Sequence, residues 1–124
     1  MKMSAKAFDR AVARAVDRIP AEIRDLMDNV VVAVRKRPTQ EMLEATGMTA
    51  TEPPLGLYWG ESLLDRSSFS PVQYPDTIFI FQEPLEEMCG TLAELEREIE
   101  ITVVHEVAHF LGIDEERLTE LGYA

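Results

Sequence analysis

The segment that most restricts the structure of this chain is residues 101–112, which reads ITVVHEVAHFLG. Its apolar residues lie almost all the way round a helix of period 3.6, which predicts a helix buried over this half. The two histidines of the whole chain, His105 and His109, stand four positions apart within it. Residues at that spacing share one face of a helix, one turn apart, so both imidazoles can reach a single metal ion.

The glutamate between the histidines, Glu106, suits a catalytic role beside that metal. It falls about 100° further round the helix, where a base can take a proton from a water that the metal activates. The segment therefore predicts a zinc-dependent hydrolase, most simply a peptidase, with His105 and His109 as ligands and Glu106 as general base. The alternative is a helix whose histidines are satisfied core residues. We favour the metal, because burying two imidazoles and a carboxylate on one face is costly without a partner for all three.

A third protein ligand is expected after the helix, because a catalytic zinc usually takes three and leaves one position for water. Gly112 tolerates a positive φ, which would end the helix and turn the chain back towards the metal. The pattern HExxHxxGxxH places the third ligand three residues after that glycine, where Glu115 stands. Asp114 is the alternative, although it also stands at the N-cap position of a last short helix. A further alternative is that both acids only cap and decorate that helix.

Length and composition predict a single domain over residues 1–124 with one hydrophobic core. The apolar content of 46% and the charged content of 28% are typical of a soluble globular protein. No apolar run reaches the length of a membrane span, and Arg10 and Arg14 interrupt any signal-peptide core. The single cysteine, Cys89, suits a reducing compartment. We therefore expect a cytoplasmic protein with no membrane partner.

The net charge of −11 lies almost wholly in the part of the chain that contains the histidine motif. Residues 82–124 hold 2 basic and 12 acidic side chains, whereas residues 1–81 hold 10 basic and 11 acidic ones. Such a field disfavours nucleic acid and attracts metal cations and basic peptides. We expect a peptide or protein substrate, with basic peptides favoured, and no nucleic acid; the sequence indicates no oligomeric state. A solvated acidic helix face is the simplest explanation for four glutamates, Glu94, Glu96, Glu98 and Glu100.

Hydrophobic periodicity and capping residues predict helices around a small sheet. Ser4 caps a first helix that Pro20 ends, and a capping box at Thr91 and Glu94 begins the helix that contains the motif. The other predicted elements are strands at Val30–Val34, Leu57–Trp59 and Thr77–Phe81, a short helix at Thr39–Ala45 and a surface loop over residues 61–76. The first strand is continuous and β-branched, which predicts burial, and the third is apolar on both faces, which predicts cover on both. The third strand is also a candidate edge for pairing with an extended peptide.

The chain resembles the small bacterial zincin-like metallopeptidases, in which HExxHxxG is followed by an acid. The matching stretches cover most of the chain in order: DRIP at 17–20, DNVVV at 28–32, LGLY at 55–58, PDTI at 75–78, TVVHEVAH at 102–109, GIDEERL at 112–118 and LG at 121–122. The resemblance implies an α+β, zincin-like fold in which a small mixed sheet packs on the HExxH active-site helix, with additional helices. It also implies metal or catalytic roles for His105, Glu106 and His109, and a third ligand among the acids after Gly112.

Two features of the larger zincin groups have no clear counterpart in this chain, so we expect a smaller active site. No methionine follows Met88, so the methionine-containing turn of the metzincins has no counterpart here. The gluzincins take a glutamate ligand from a second helix well downstream. Only 15 residues follow His109, which leaves Glu120 as a remote candidate for that role.

Two functions remain open from the sequence. The first is a zinc-dependent metallopeptidase that hydrolyses peptide bonds, and the retention of Glu106 favours it, since a structural site needs only ligands. The alternative is a catalytically weak or inactive metal-binding or adaptor domain on a zincin scaffold, which the short chain favours because it leaves little room for a substrate cleft. Tyr58, Tyr74 and Tyr123 are candidate hydrogen-bond donors to the reacting carbonyl, but an aromatic core or surface role is favoured for each.

Overall fold

The computed structural model describes residues 1–60 and 76–123. Its helices are α1 (Ala5–Asp17), α2 (Ala21–Arg24), α3 (Gln40–Thr46), α4 (Gln82–Met88), α5 (Leu92–Leu111) and α6 (Glu115–Glu120), and its strands are β1 (Val30–Arg35), β2 (Gly56–Trp59) and β3 (Asp76–Phe81). A 3-10 turn at Asp25–Met27 follows α2. Tyr74 and all of the predicted loop except Asp76 lie outside the described residues. None of the helices in these two ranges combines the length and apolar character needed to cross a membrane.

The three strands form one mixed sheet in the order β1-β3-β2. β1 runs parallel to β3, with Val32 opposite Ile78, and β2 runs antiparallel to it, with Tyr58 opposite the same residue. The expectation that Thr77–Phe81 offers an edge to a peptide is therefore wrong, because β3 is the central strand and both of its edges are paired. Among the described strands, the outer positions belong to β1 and β2. The architecture of the described residues is α+β, as predicted.

The burial of the sheet agrees with the prediction only in part. Ile78 and Ile80 of β3 are fully buried on one face. On the other face Phe81 is also fully buried, whereas Phe79 is partly covered, with the Arg35 guanidinium 5.1 Å from its ring centroid. β1 was expected to be a buried strand, yet Val31 is 46% exposed. Continuous β-branched sequence indicates a strand but does not show whether both of its faces are covered. Within the described residues, Val31 is open to solvent while Ala33 on the same face of β1 is partly covered.

α1 begins and ends where its capping residues predict. The backbone N–H of Ala7 donates to Ser4 Oγ at 3.1 Å, and the helix ends at Asp17, three residues before Pro20. The apolar residues of α1 fall on one stripe of the helix, which is buried at Phe8, Ala11, Val12 and Ala15. α1 packs along α5, so the motif helix is covered on this side.

α5 has both of its predicted ends. Glu94 N donates to Thr91 Oγ1 at 3.1 Å, which makes Thr91 the N-cap. At the other end Gly112 adopts φ 74°, and Ile113 N donates to Ala108 O at 2.9 Å. The left-handed glycine lets the chain turn back sharply, as the sequence predicts. α6 then begins after two residues, with Asp114 as its N-cap.

The contact between β2 and α5 depends on a glycine. A Cβ on Gly56 would lie 2.6 Å from Thr102 Cγ2 of α5 and 2.9 Å from the carbonyl oxygen of Phe79. No side chain fits between those atoms, so glycine allows the strand to lie directly against the helix. This close approach brings the end of β2 beside the histidine motif.

Two of the glutamates that the sequence assigns to a solvated face are buried instead. Glu96 is 6% exposed, and its carboxylate accepts from Arg14 and from Arg18, both at the end of α1. Glu100 is 5% exposed and accepts from Arg97 and Tyr123. Burial of these charges is tolerated because each carboxylate is paired with an arginine. The prediction of a solvated face is wrong for these two residues.

Candidate metal centre

The two histidines lie on one face at the last turns of α5, as their spacing predicts. The centroids of the His105 and His109 rings are 6.4 Å apart, and the ring planes are tilted by 54°. His105 is half-buried, but His109 is exposed, as are Phe110 and Leu111. The expectation that this half of the helix is buried is therefore wrong for its final turn. The histidine pair lies at the surface, where a metal ion and a substrate can reach it.

Glu106 is held by the neighbouring strand. Its Oε2 atom accepts a hydrogen bond from the backbone N–H of Tyr58 in β2 at 3.1 Å. Burial raises the pKa of this half-buried carboxyl group, and the Tyr58 N–H and the nearby histidines oppose that rise. The other oxygen, Oε1, has no hydrogen-bond partner within the described ranges. A carboxylate that is held at one oxygen and has a raised pKa is suited to accept a proton at the other.

Tyr58 fastens the end of β2 to α5. Its ring stacks on that of Phe110, with centroids 4.0 Å apart and planes 10° apart. Its hydroxyl donates to Asp76 Oδ2 at 2.7 Å, across to the start of β3. From the sequence, Tyr58 is only a candidate hydrogen-bond donor to the reacting carbonyl, and its position beside Glu106 is not predicted. The stretch LGLY indicates that this segment matters to the family, but the contact of Tyr58 with α5 depends on the order of the strands in the sheet.

His105 has a partner that the sequence does not reveal. Its Nε2 atom lies 2.5 Å from the backbone carbonyl oxygen of Tyr123. A carbonyl can only accept, so this contact makes Nε2 the protonated ring nitrogen. Every residue has a backbone carbonyl, so no residue pattern could have indicated this one.

The acids that follow the helix are not gathered with the histidines. Asp114 Oδ1 accepts from Arg117 N at 2.8 Å and caps α6, and Glu115 is the exposed first residue of that helix. Glu120 is paired with Arg117. Over residues 1–60 and 76–123, no three His, Cys, Asp or Glu side chains are grouped so that they could hold a metal ion. Glu115 and Asp114 stay predictions as third ligand.

The donors that do meet fit two positions of a zinc site. Imidazole nitrogens are common zinc ligands, and His105 and His109 present two of them on a single accessible face. Glu106 lies between them in the sequence, and its carboxylate is held by the backbone N–H of Tyr58. The donor types at this end of α5 therefore suit zinc.

An α+β chain whose HExxH helix packs against a small mixed sheet has the layout of the zincin class. The family model for the zincin-like metallopeptidases matches residues 27–123. Since that match spans most of the 124 residues, the chain belongs to the zincin-like metallopeptidase family. No curated protein matches the chain. Membership points to a metal-dependent hydrolase, and metallopeptidases of this type generally use zinc.

Proposed function

We propose that this protein is a zinc-dependent peptidase in which Glu106 is the general base and His105 and His109 hold the metal. The observation that supports this most directly is the hydrogen bond from Tyr58 N to Glu106 Oε2 at 3.1 Å, beside both histidines. A site that only binds metal has no use for a held carboxylate that is not itself a ligand. Membership of the zincin-like metallopeptidase family also supports a metal-dependent peptidase.

The residues have separate parts in the proposed reaction. A bound zinc ion would supply Lewis acidity, which makes water nucleophilic near neutral pH and polarises a carbonyl. Glu106 takes the proton of the attacking water at Oε1 and delivers it to the leaving amine. Tyr58 keeps Oε2 in place through its backbone N–H while the proton moves. Burial supports the transfer, because the raised pKa of Glu106 strengthens its hold on the proton.

The proposed substrate is a peptide or protein, and β2 is the strand that lies nearest to the base. β2 has an outer position in the sheet, and the N–H of Tyr58 points to Glu106 instead of pairing with β3. Among the described strands β2 therefore replaces β3 as the proposed edge for an extended peptide, which would pair with backbone groups other than the Tyr58 N–H that Glu106 occupies. The acidic charge of residues 82–124 favours basic peptides. Exposed Trp59 and Phe110 supply apolar contact area beside the site.

Replacement of Glu106 tests the proposed activity. The variant Glu106→Gln has nearly the same shape but cannot accept the proton, so we expect cleavage of a peptide library to fall by about 10²–10⁴-fold. Zinc content should stay at the wild-type level, because Glu106 is not a ligand. Metal analysis of the purified proteins and a mass-spectrometric library assay measure both quantities. If the variant cleaves as fast as the wild type, Glu106 is not the base.

A second function is favoured by one observation, which is that residues 1–60 and 76–123 bring together no three metal-binding side chains. A site with two histidines binds metal weakly and turns over slowly, as expected for a metal-binding or adaptor domain. In that case the wild type would take up zinc but cleave no peptide with any divalent metal. Stoichiometric zinc together with cleavage would exclude this alternative.

A further inference from the structure

One face of α5 contacts β2 along three successive turns. Thr102, Glu106 and Phe110 follow one another at intervals of four positions, so they form a row on this face. Thr102 lies against Gly56 of β2. Glu106 accepts from the backbone N–H of Tyr58, and Phe110 stacks on the ring of the same tyrosine. The proposed base therefore stands between two packing contacts, one on each side of it along the helix.

The N–H of Tyr58 reaches Glu106 because of its position in the strand. Residues of an antiparallel pair alternate between hydrogen-bonded and non-hydrogen-bonded positions. Phe81 N donates to Leu55 O at 3.0 Å, so Tyr58, three positions further along, is at a non-hydrogen-bonded position. Its N–H points to the outer side of β2, where Glu106 Oε2 accepts it at 3.1 Å. This hydrogen bond therefore depends on how firmly the end of β2 is kept against α5.

Two contacts of the Tyr58 side chain keep the end of β2 in place. Its ring is stacked on Phe110 in the last turn of α5, with centroids 4.0 Å apart. Its hydroxyl donates to Asp76 Oδ2 at 2.7 Å, at the start of β3. The side chain of Tyr58 thus connects the helix to the central strand, while its backbone holds the carboxylate of Glu106.

We propose that Phe110 and Asp76 are positioning residues for Glu106, and that both act through Tyr58. Together they hold the backbone N–H of Tyr58 on Oε2, which leaves Oε1 to take the proton. This inference rests on the proposed function and deepens the part of Glu106 in it. Neither residue acts on Glu106 directly, since the hydrogen bond to its carboxylate comes from the Tyr58 backbone. A general base is effective only when it is held within reach of the proton, so a displaced strand lowers the rate.

The end of α5 supplies a matched control for Phe110. Leu111 follows it directly, and the two side chains are similarly exposed, at 47% and 45%. Both are large and apolar, but only an aromatic ring can stack on Tyr58. Replacement of either by alanine removes exposed apolar surface, whereas only Phe110→Ala removes the stack. The N–H of Phe81 is an internal control, because it belongs to the pairing of the sheet and not to the contact with α5.

Amide hydrogen exchange, followed by NMR in the metal-free full chain, tests the positioning by Phe110. In Phe110→Ala the amide of residue 58 is expected to exchange about 2- to 10-fold faster than in the wild type, the factor that corresponds to the free energy of an aromatic stack. Phe110→Tyr keeps a ring for stacking and should exchange at the wild-type rate. Leu111→Ala should leave this amide unchanged, and the Phe81 amide should keep its rate in all three variants. The readout requires neither zinc nor a substrate.

The contact with Asp76 is tested by a double-mutant cycle. Tyr58→Phe removes only the hydroxyl and Asp76→Ala removes its acceptor, so each is expected to speed the exchange at residue 58. Asp76→Asn keeps an acceptor oxygen and should restore the wild-type rate. Because both variants break the same hydrogen bond, the double variant should exchange no faster than the faster of the two single variants. Effects that multiply in the double variant would overturn the part assigned to Asp76.

Kinetic constants test the consequence for the proposed peptidase. A displaced base weakens binding of the transition state but not of the substrate. Since a displacement of about 1 Å costs on the order of 100-fold, we expect a smaller shift in Asp76→Ala to lower kcat about 10-fold, with KM near the wild-type value. Asp76→Asn should recover kcat. An increase of KM alone in Phe110→Ala, with an unchanged residue 58 amide, would mean that Phe110 contacts the substrate and does not position the base.

The outcomes separate this proposal from the proposed function. The same acceleration of the residue 58 amide in Leu111→Ala as in Phe110→Ala would overturn positioning by the stack. Equal acceleration at residues 58 and 81 would also overturn it, because it would indicate a general loss of stability. A wild type that cleaves no peptide with any divalent metal would overturn the proposed peptidase. A residue 58 amide whose protection depends on Phe110 would still establish the contact that holds Glu106.

Discussion

Glu106 illustrates how one side chain depends on two elements. The motif places it between the histidines, but its hydrogen bond comes from Tyr58 on β2, which lies 48 positions earlier in the sequence. Its raised pKa has burial as its main cause. The motif therefore selects the proposed base, and the sheet accounts for the environment of its carboxyl group.

The third ligand can be assigned by two isosteric substitutions. If Glu115 is the ligand, Glu115→Gln should weaken zinc binding by at least the roughly 10-fold that loss of an outer hydrogen bond costs a metal site. Asp114→Asn should leave zinc binding unchanged, because asparagine caps a helix as well as aspartate does. Chelator competition measures both. Weakening in Asp114→Asn alone would assign the ligand to Asp114, and no effect in either would mean that neither acid binds the metal.

At the level of the secondary-structure elements, the sequence predicts where the helices begin and end. It does not predict which faces of the strands are buried. Ser4, Thr91 and Asp114 each accept a hydrogen bond from a backbone N–H three residues later, and Gly112 ends α5 in the left-handed region. These contacts join residues that are close in sequence, so local pattern suffices to find them. Whether Val31 is covered depends on which element lies above it, and no local pattern contains that information.

The approach of β2 to α5 predicts that Gly56 is intolerant of substitution. In Gly56→Ala the added methyl would lie 2.6 Å from Thr102 Cγ2 and 2.9 Å from the backbone oxygen of Phe79, so the strand must move away from the helix. We expect the free energy of unfolding to fall by about 1–3 kcal/mol. Chemical denaturation followed by circular dichroism measures it.

Gly90→Ala is the control for that substitution. Gly90 has no atom within 4 Å of an added Cβ and no positive φ, so its variant should stay within about 0.5 kcal/mol of the wild type. If Gly56→Ala is equally stable, β2 and α5 can accommodate a methyl group, and their close contact is not required.

At the scale of the whole molecule, Glu96 connects α1 to α5 and makes stability depend on pH. The hydrogen bonds from Arg18 and Arg14 hold the pKa of Glu96 below its ordinary value. A carboxyl group with a lowered folded-state pKa stabilises the fold above its unfolded-state pKa, near 4.3. That contribution is lost as the pH falls from there through the folded-state pKa. Unfolding by acid should therefore release α1 from α5.

The variant Glu96→Gln tests this pH dependence. It should be less stable than the wild type at pH 7, and the difference should shrink progressively below about pH 4, where the wild-type carboxyl group also becomes neutral. Urea denaturation at several pH values measures the difference. Glu98→Gln makes the same change of charge on the same helix without those arginine partners, and should show a smaller effect. A difference that stays constant across the pH range would contradict the assignment to Glu96.

The sequence by itself determined the motif, its helix and the ends of that helix, because these depend on residues within four positions of one another. It also identified His105, Glu106 and His109 as a set, since spacing alone puts them on neighbouring faces. Only the tertiary structure decided that β3 is central, that Glu96 is buried, and that the motif is held by two backbone groups. These groups are the N–H of Tyr58 and the carbonyl of Tyr123. Almost every residue has a backbone N–H and a backbone carbonyl of the same chemistry. Their partners therefore follow from where the folded chain brings them and not from which residues they belong to.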